Sequence, residues 1–395
     1  MSTKIGLGQS HEASEIEAGK EAMTIALHAL SGLSPDVVFV YSTFGFDFPS
    51  LIHSIRAMVP GVRVIGGSTL GIITREGPDT EFHRVSVCAI KSDDFIMTPL
   101  VAKGLIGRSG AAGRELAAQI EASGKNDIKG LYLFLDGLHA ADPDSLLREV
   151  EHALPPATPV FGGTASEPLL WKNTYQFYDD EVLEDAAVGV LFSGKINIAV
   201  TSSHGSQELG AVHEVTKADG ARIYEIDNKP AMHLFTELYG AEQKQISAAM
   251  AAGVCLGVRV PEEVVGGERM ELRVPLTSLD DGSIIMAAAW PTGTKIYVCQ
   301  RNGERIIDRA DSAAKELVAM RKGIQPLVVF HADCVGRSAD QVGKDVAFSE
   351  VRATIDAFPQ DTPWFGAYVY GELASVGGKA AFHNWTGAIA SMYIE

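Results

Sequence analysis

Short apolar runs recur along this chain in one repeated phrase. Each run ends on a polar residue, an amphipathic stretch follows, and a second apolar run enters a glycine turn. The copies span 37–42, 48–58 and 62–69, then 131–136, 144–154 and 158–164, then 327–333, 346–358 and 362–371. Copies two and three share Thr-Pro-x-Phe-Gly, and copies one and two share Gly-Gly-[Ser/Thr] at an interval of 96 residues, Gly66 to Gly162. An apolar run too short for a helix, then helical periodicity, then another short run reads as β-α-β. The long interval argues for duplicated units and against a short-period solenoid. The Gly-Gly turns of copies one and two are expected at one sheet edge, within one half of the molecule.

The pattern between the copies predicts further elements. Helical spacing covers 12–30, 109–121 and 304–320, and strands are predicted at 71–74, 84–90, 95–101, 174–178, 187–192 and 195–201. A polar, glycine-punctuated link follows at 202–210, then a hairpin at 212–216 and 222–226. Asp227 is expected to cap a helix carrying Ala231, Leu234, Phe235 and Leu238 on one face. Strands at 254–258, 270–274, 284–288, 295–298 and 388–394 complete the layout. The class is α/β: two related mixed-sheet domains, 1–205 and 206–395, with flanking helices and built from duplicated β-α-β units.

Composition removes whole classes of partner. A net charge of -17 opposes nucleic acid and anionic membrane, both of which need basic surface. Cys88, Cys255, Cys299 and Cys334 show neither zinc nor C-x-x-C spacing, which suits a reducing compartment. The N-terminal segment carries acids where a signal peptide needs an apolar core, and no apolar run reaches membrane-spanning length. A soluble, cytoplasmic protein is expected, with a homo-oligomer left open.

Candidate chemistry gathers at the strand ends. Gly67, Ser68 and Thr69 in copy one, and Gly163 and Thr164 in copy two, offer backbone N–H groups and hydroxyls to a carboxylate or phosphate. The competing reading is that these glycines only permit tight turns and close packing. Asp136 closes the first strand of copy two. In copy three, Cys334 and Arg337 follow a strand end, while Glu372, Asn384 and Thr386 stand beyond the next one. An arginine fork beside a glutamate suits an amino-acid zwitterion; equally, Arg337 and Glu372 form an internal ion pair. His331 and Cys334 raise the possibility of a Cys-dependent hydrolase, although positions three apart on a strand face opposite sides. No P-loop, dinucleotide fingerprint or G-x-S-x-G elbow is present.

These motifs, in their order, carry a resemblance. Gly67-Ser68-Thr69-Leu70-Gly71 and the acidic strand end before a Gly-Gly turn resemble the FIST N-terminal domain. The runs 215–220 (VTKADG), 224–231 (YEIDNKPA), Cys334-Val335-Gly336-Arg337, Tyr370-Gly371-Glu372 and Phe382-His383-Asn384-Trp385-Thr386 resemble the FIST C-terminal domain. The similarity runs from about residue 30 to the end, and the name is read as F-box and intracellular signal transduction. The resemblance implies a stand-alone intracellular sensory protein that binds a small ligand and regulates a signalling partner such as a histidine kinase. It also implies an alternative, a nitric-oxide-sensing haemoprotein. Haem needs an axial ligand, for which His204, His331 and His383 are the candidates. The ligand is amino-acid-like or haem with nitric oxide, and catalysis is not expected.

Overall fold

The computed structural model describes residues 3–138, 142–239, 246, 253–260 and 270–395. The α/β class is observed: mixed sheets with flanking helices, built on β-α-β units. All three copies form, as Val37–Ser42, Phe48–Met58 and Arg63–Ser68, then Ile128–Leu135, Pro143–His152 and Val160–Thr164, then Val328–Cys334, Lys344–Asp356 and Trp364–Val369. Asp47 and Asp142 start the first two helices, each accepting a backbone N–H three residues on, with proline in the first turn.

Each copy lies at the centre of its own six-stranded sheet, so Gly67 and Gly163 sit in different sheets and not along one edge. Their positions are nevertheless equivalent, opposite Tyr41 and Phe134 in the two parallel pairs. The three sheets share one pattern of pairing. A parallel pair is flanked by two antiparallel strands on one side and an antiparallel hairpin on the other. That hairpin is always lent by a neighbour. The strands following copy one (Ile72–Thr74, Gly77–Asp79) join copy three, those following copy two (Gln176–Tyr178, Glu181–Leu183) join copy one, and those following copy three (Glu372–Val376, Lys379–His383) join copy two. The expected boundary near residue 205 marks the entry to an inserted antiparallel sheet, which begins at Ser206–Asp219. Two of the six-stranded sheets contain strands from both sides of that boundary.

The cyclic exchange packs the three sheets face to face around an aromatic core. Phe39, Tyr132 and Phe330 occupy equivalent positions, and their ring centroids lie 5.1, 5.1 and 5.7 Å apart. The opposite face of each sheet is covered by helices, so the central strands are buried on both sides and read as continuous apolar runs. The Tyr41 and Tyr132 hydroxyls meet 2.8 Å apart inside this core. Tyr132→Phe strands the Tyr41 hydroxyl and is expected to lower stability by about 1–2 kcal/mol, while adding Tyr41→Phe restores much of the loss. Urea denaturation of the two single variants and the double variant checks this; a neutral Tyr132→Phe refutes it.

Asp227 does not cap a helix. It occupies a left-handed turn with Asn228 (φ 52° and 60°) between Arg222–Ile226 and Lys229–Pro230, which form a hairpin. The helix starts at Met232 instead. Arg273 anchors the inserted sheet to copy two, donating from Nη2 to Asp144 Oδ1 and Oδ2 at 3.2 and 3.1 Å and from Nη1 to Phe382 O. Among the described residues no helix is long and apolar enough to cross a membrane.

Candidate ligand-binding cavity

The strands Ile128–Leu135, Val160–Thr164 and Val328–Cys334 deliver Asp136, Thr164 and Cys334 to a cavity of about 560 Å³. Open α/β sheets bind ligands at such C-terminal strand ends. The inserted sheet forms the facing wall through Val274, Leu276, Ile285 and Met286, and Phe382, Asn384 and Trp385 complete the interior. Most of this lining is apolar or aromatic, with few polar groups to orient a ligand. Asp136 Oδ1 accepts from Thr174 Oγ1 at 2.6 Å and from Leu138 N at 3.3 Å. Asn384 Nδ2 donates to Tyr370 O at 3.4 Å, and its Oδ1 accepts from Val274 N at 3.3 Å. Thr164 Oγ1 accepts from Gly371 N at 2.9 Å.

An aromatic lip closes one side. Trp171 stacks on Tyr370 with centroids 5.1 Å apart and planes 6° from parallel, although 56% of Trp171 is exposed. Leu169 and Trp171 both hold left-handed backbone (φ 58° and 55°), an arrangement costing about 1–3 kcal/mol per residue. Glu167 sustains it: its carboxylate accepts from Leu170 N and Trp171 N at 2.9 and 2.8 Å and from the Tyr370 hydroxyl. Burial and the Glu167 carboxylate push the Tyr370 phenol far up, so it remains a donor.

Arg337 is not a ligand clamp. Its side chain is fully buried, with Nη1 donating to Ser203 O at 2.6 Å, Nη2 donating to Glu350 Oε1, and Nε 3.1 Å from Asp333 Oδ1. Burial works against its charge, but Glu350 and Asp333 more than offset that and raise its pKa. Nor does Glu372 hold Arg337 directly: its Oε2 accepts from Thr386 N at 3.1 Å, beside the Cys334 thiol. Burial raises the Glu372 pKa, and Asp333 raises it further. Thr386 Oγ1 donates to Asn384 O at 2.9 Å and supports the loop without lining the cavity. Of the copy-three candidates, Cys334 and Asn384 face the cavity, whereas Arg337, Glu372 and Thr386 stand behind it.

The glycine turns serve packing. A Cβ at Gly66 or Gly162 would lie 1.8 or 2.0 Å from the carbonyl oxygen of Val40 or Leu133, and one at Gly67 would lie 2.5 Å from Phe134. The amides of Ser68, Thr69 and Thr164 donate to Tyr175 O, Ser42 O and Gly371 O, each at 2.9 Å. Ser68 Oγ donates to Ser166 O and accepts from Tyr175 N. Gly67, Ser68 and Gly163 therefore lie within the ladders, Thr69 lies just beyond one, and none of the four is on the cavity wall.

The three candidate histidines do not fit a haem in this cavity, because none of them lines it. His204 Nδ1 accepts from Ser206 N, His383 Nε2 lies 3.3 Å from Ala374 O, and His331 packs edge-on against Trp364. Burial, then Arg337, lowers the His331 pKa to about 3. His331 and Cys334 also diverge, one toward the helix layer and the other into the cavity. Trp171 and Met286 are cavity residues that the sequence pattern does not single out, and Tyr370 and Trp385 stand in its motifs without being assigned to the ligand. The available signal was the run Leu169-Leu170-Trp171, an apolar cluster in a segment between strands.

Family models described as the FIST N domain and the FIST C domain match residues 36–229 and 231–375. The F-box in the expansion of the name given above is an error. An uncharacterised protein of Mycobacterium tuberculosis is 27% identical over 251 residues, covering 63% of this chain and 64% of its own length. An uncharacterised protein of Methanocaldococcus jannaschii is 34% identical over 80 residues, covering 20% and 16%. The match thus spans less than two thirds of the length of these curated relatives. Among solved structures, a cyanuric acid hydrolase from A. caulinodans aligns over 100% of this chain and 99% of its own at 10% identity and a TM-score of 0.38. A chorismatase aligns over 100% and 99% at 8% identity and a TM-score of 0.35. Likeness this distant carries no argument about chemistry.

Proposed function

We propose that this chain, which belongs to the FIST family, is an intracellular sensory protein whose cavity takes a small, flat, largely apolar ligand with a hydrogen-bond donor directed at Asp136. FIST domains are linked to signal transduction and small-ligand sensing. The observation that carries the reading is the 560 Å³ cavity itself, apolar and aromatic with a few convergent polar groups. An amino-acid-like ligand would meet Asp136 with its amine but would find no arginine among the described lining residues for its carboxylate. A flat aromatic amine fits the lining better, with Trp171 and Tyr370 as the stacking lip. Occupancy would pass to a signalling partner, such as a histidine kinase, by reordering the exposed Leu170–Trp171 surface. Such a switch works only if the two lip conformations bind the ligand with different affinity.

Trp171 and Trp385 report on the cavity, so titrating tryptophan emission with a panel of aromatic amines and amino acids tests the reading. Asp136→Asn should weaken binding by about 1.5–3 kcal/mol, the range for a charged hydrogen bond. A ligand held with unchanged affinity by both Asp136→Asn and Trp171→Ala would refute it.

A Cys334-dependent hydrolase is the second reading, favoured by the backbone N–H groups of Gly336 and Trp385 directed at the sulfur. Burial, then Glu372, nevertheless pushes the thiol pKa well up, which opposes a thiolate nucleophile. The thiol should resist iodoacetamide at neutral pH in the folded protein, and Cys334→Ser should leave ligand affinity largely unchanged. Cysteine-dependent multiple turnover of an amide, ester or thioester would replace the sensor reading.

A further inference from the structure

Behind the cavity floor, on the helix-covered face of the third sheet, lies a polar cluster that the ligand site does not use. His331 and Asp333 are two residues apart on Val328–Cys334 and so project to the same face. The helix Lys344–Asp356 brings Glu350 down onto them. All three are almost completely buried, and one donor atom from each lies within 4.8 Å of the other two. His331 Nδ1, Asp333 Oδ2 and Glu350 Oε2 have no hydrogen-bond partner among the described residues. The Tyr368 hydroxyl, on the residue paired with Asp333 in the ladder, is also unpartnered.

Arg337 engages one oxygen of each carboxyl group, Asp333 Oδ1 and Glu350 Oε1, and the other two are not engaged by it. Glu372 adds a third buried carboxyl group nearby. Buried polar atoms without partners are costly.

We infer that His331 Nδ1, Asp333 Oδ2 and Glu350 Oε2 hold a divalent first-row transition ion, with the Tyr368 hydroxyl or a water as a further ligand. One imidazole nitrogen with carboxylate oxygens suits Zn²⁺ or Mn²⁺, whereas Ca²⁺ calls for a larger oxygen shell. The ion is structural: it ties the strand end that presents Cys334 to the covering helix, and it is enclosed as the chain folds.

Elemental analysis of the full chain, purified from cultures supplemented with zinc and manganese, tests this. One ion per chain is expected, retained through native dialysis against EDTA and released on unfolding. Refolding in EDTA should give a protein of lower thermal midpoint, restored by Zn²⁺ or Mn²⁺ and not by Mg²⁺. His331→Ala and Glu350→Gln should each cut metal affinity by at least about tenfold, as loss of a direct ligand should cost no less than loss of a supporting contact. If either variant fails to fold, the wild-type stoichiometry decides. Wild-type protein that takes up no ion from supplemented culture or on refolding overturns the inference and leaves Asp333 and Glu350 sharing a proton. Full ion content in His331→Ala also overturns it, since the ion then lies elsewhere.

Discussion

Arg337→Met is expected to destabilise the fold by about 3–5 kcal/mol, the cost of breaking a buried ion pair by removing one partner. Arg337 is fully buried and bridges three elements: the strand end at Asp333, the helix residue Glu350 and the carbonyl of Ser203. Methionine fills similar volume but leaves both carboxyl groups without their counter-charge. Arg337→Lys keeps the charge yet cannot reach Nε, Nη1 and Nη2 partners together, so it should fall between the two. Denaturant midpoints of the three proteins measure the stability, and ligand titration of the folded fraction measures the site. Lost affinity with unchanged stability would return Arg337 to the ligand-clamp role suggested by its motif.

That correction shows where legibility in the sequence ends. Periodicity reports which faces of an element are buried, and on that basis the three β-α-β copies were readable to within a few residues. It carries no information on which distant strand pairs with which, so the lending of hairpins between the three sheets was not readable. The strand Lys4–Ser10 illustrates a second limit. Gly6 and Gly8 face the helix Glu15–Ala29 so closely that a Cβ would lie 2.1 and 1.9 Å from the carbonyl oxygens of Ala26 and Ala22. Close packing removes the apolar side chains that would have announced a strand. In the site, residue type indicated that Arg337, Glu372 and Cys334 belong together, but not which of them faces the cavity. That depends on the turn Val335–Arg337, which directs Cys334 into the cavity while Arg337 folds back under the sheet.

The same turn sets up the second large effect, at Gly336. A Cβ there would lie 2.4 Å from Cδ1 and Nε1 of Trp385, so even alanine cannot be added without moving the indole. Trp385 has little freedom to yield on its other sides. Its backbone is left-handed (φ 54°), the Arg301 guanidinium lies 4.4 Å from its ring centroid, and Arg301 Nη1 is itself fixed by donating to Gly336 O. The open space beside it is the cavity, which both Gly336 and Trp385 line. Gly336→Ala is therefore expected to cost about 1–3 kcal/mol of stability through overpacking and to push the indole into the ligand volume. Ligand affinity should fall by more than stability alone explains, because the folded fraction would carry a narrowed cavity. Adding Trp385→Phe removes the clashing pyrrole edge and should recover much of both losses, a coupling that a double-mutant cycle resolves. If Gly336→Ala binds the ligand as wild type does, Trp385 is not the cavity wall and the ligand lies on the other side, toward Asp136 and Trp171.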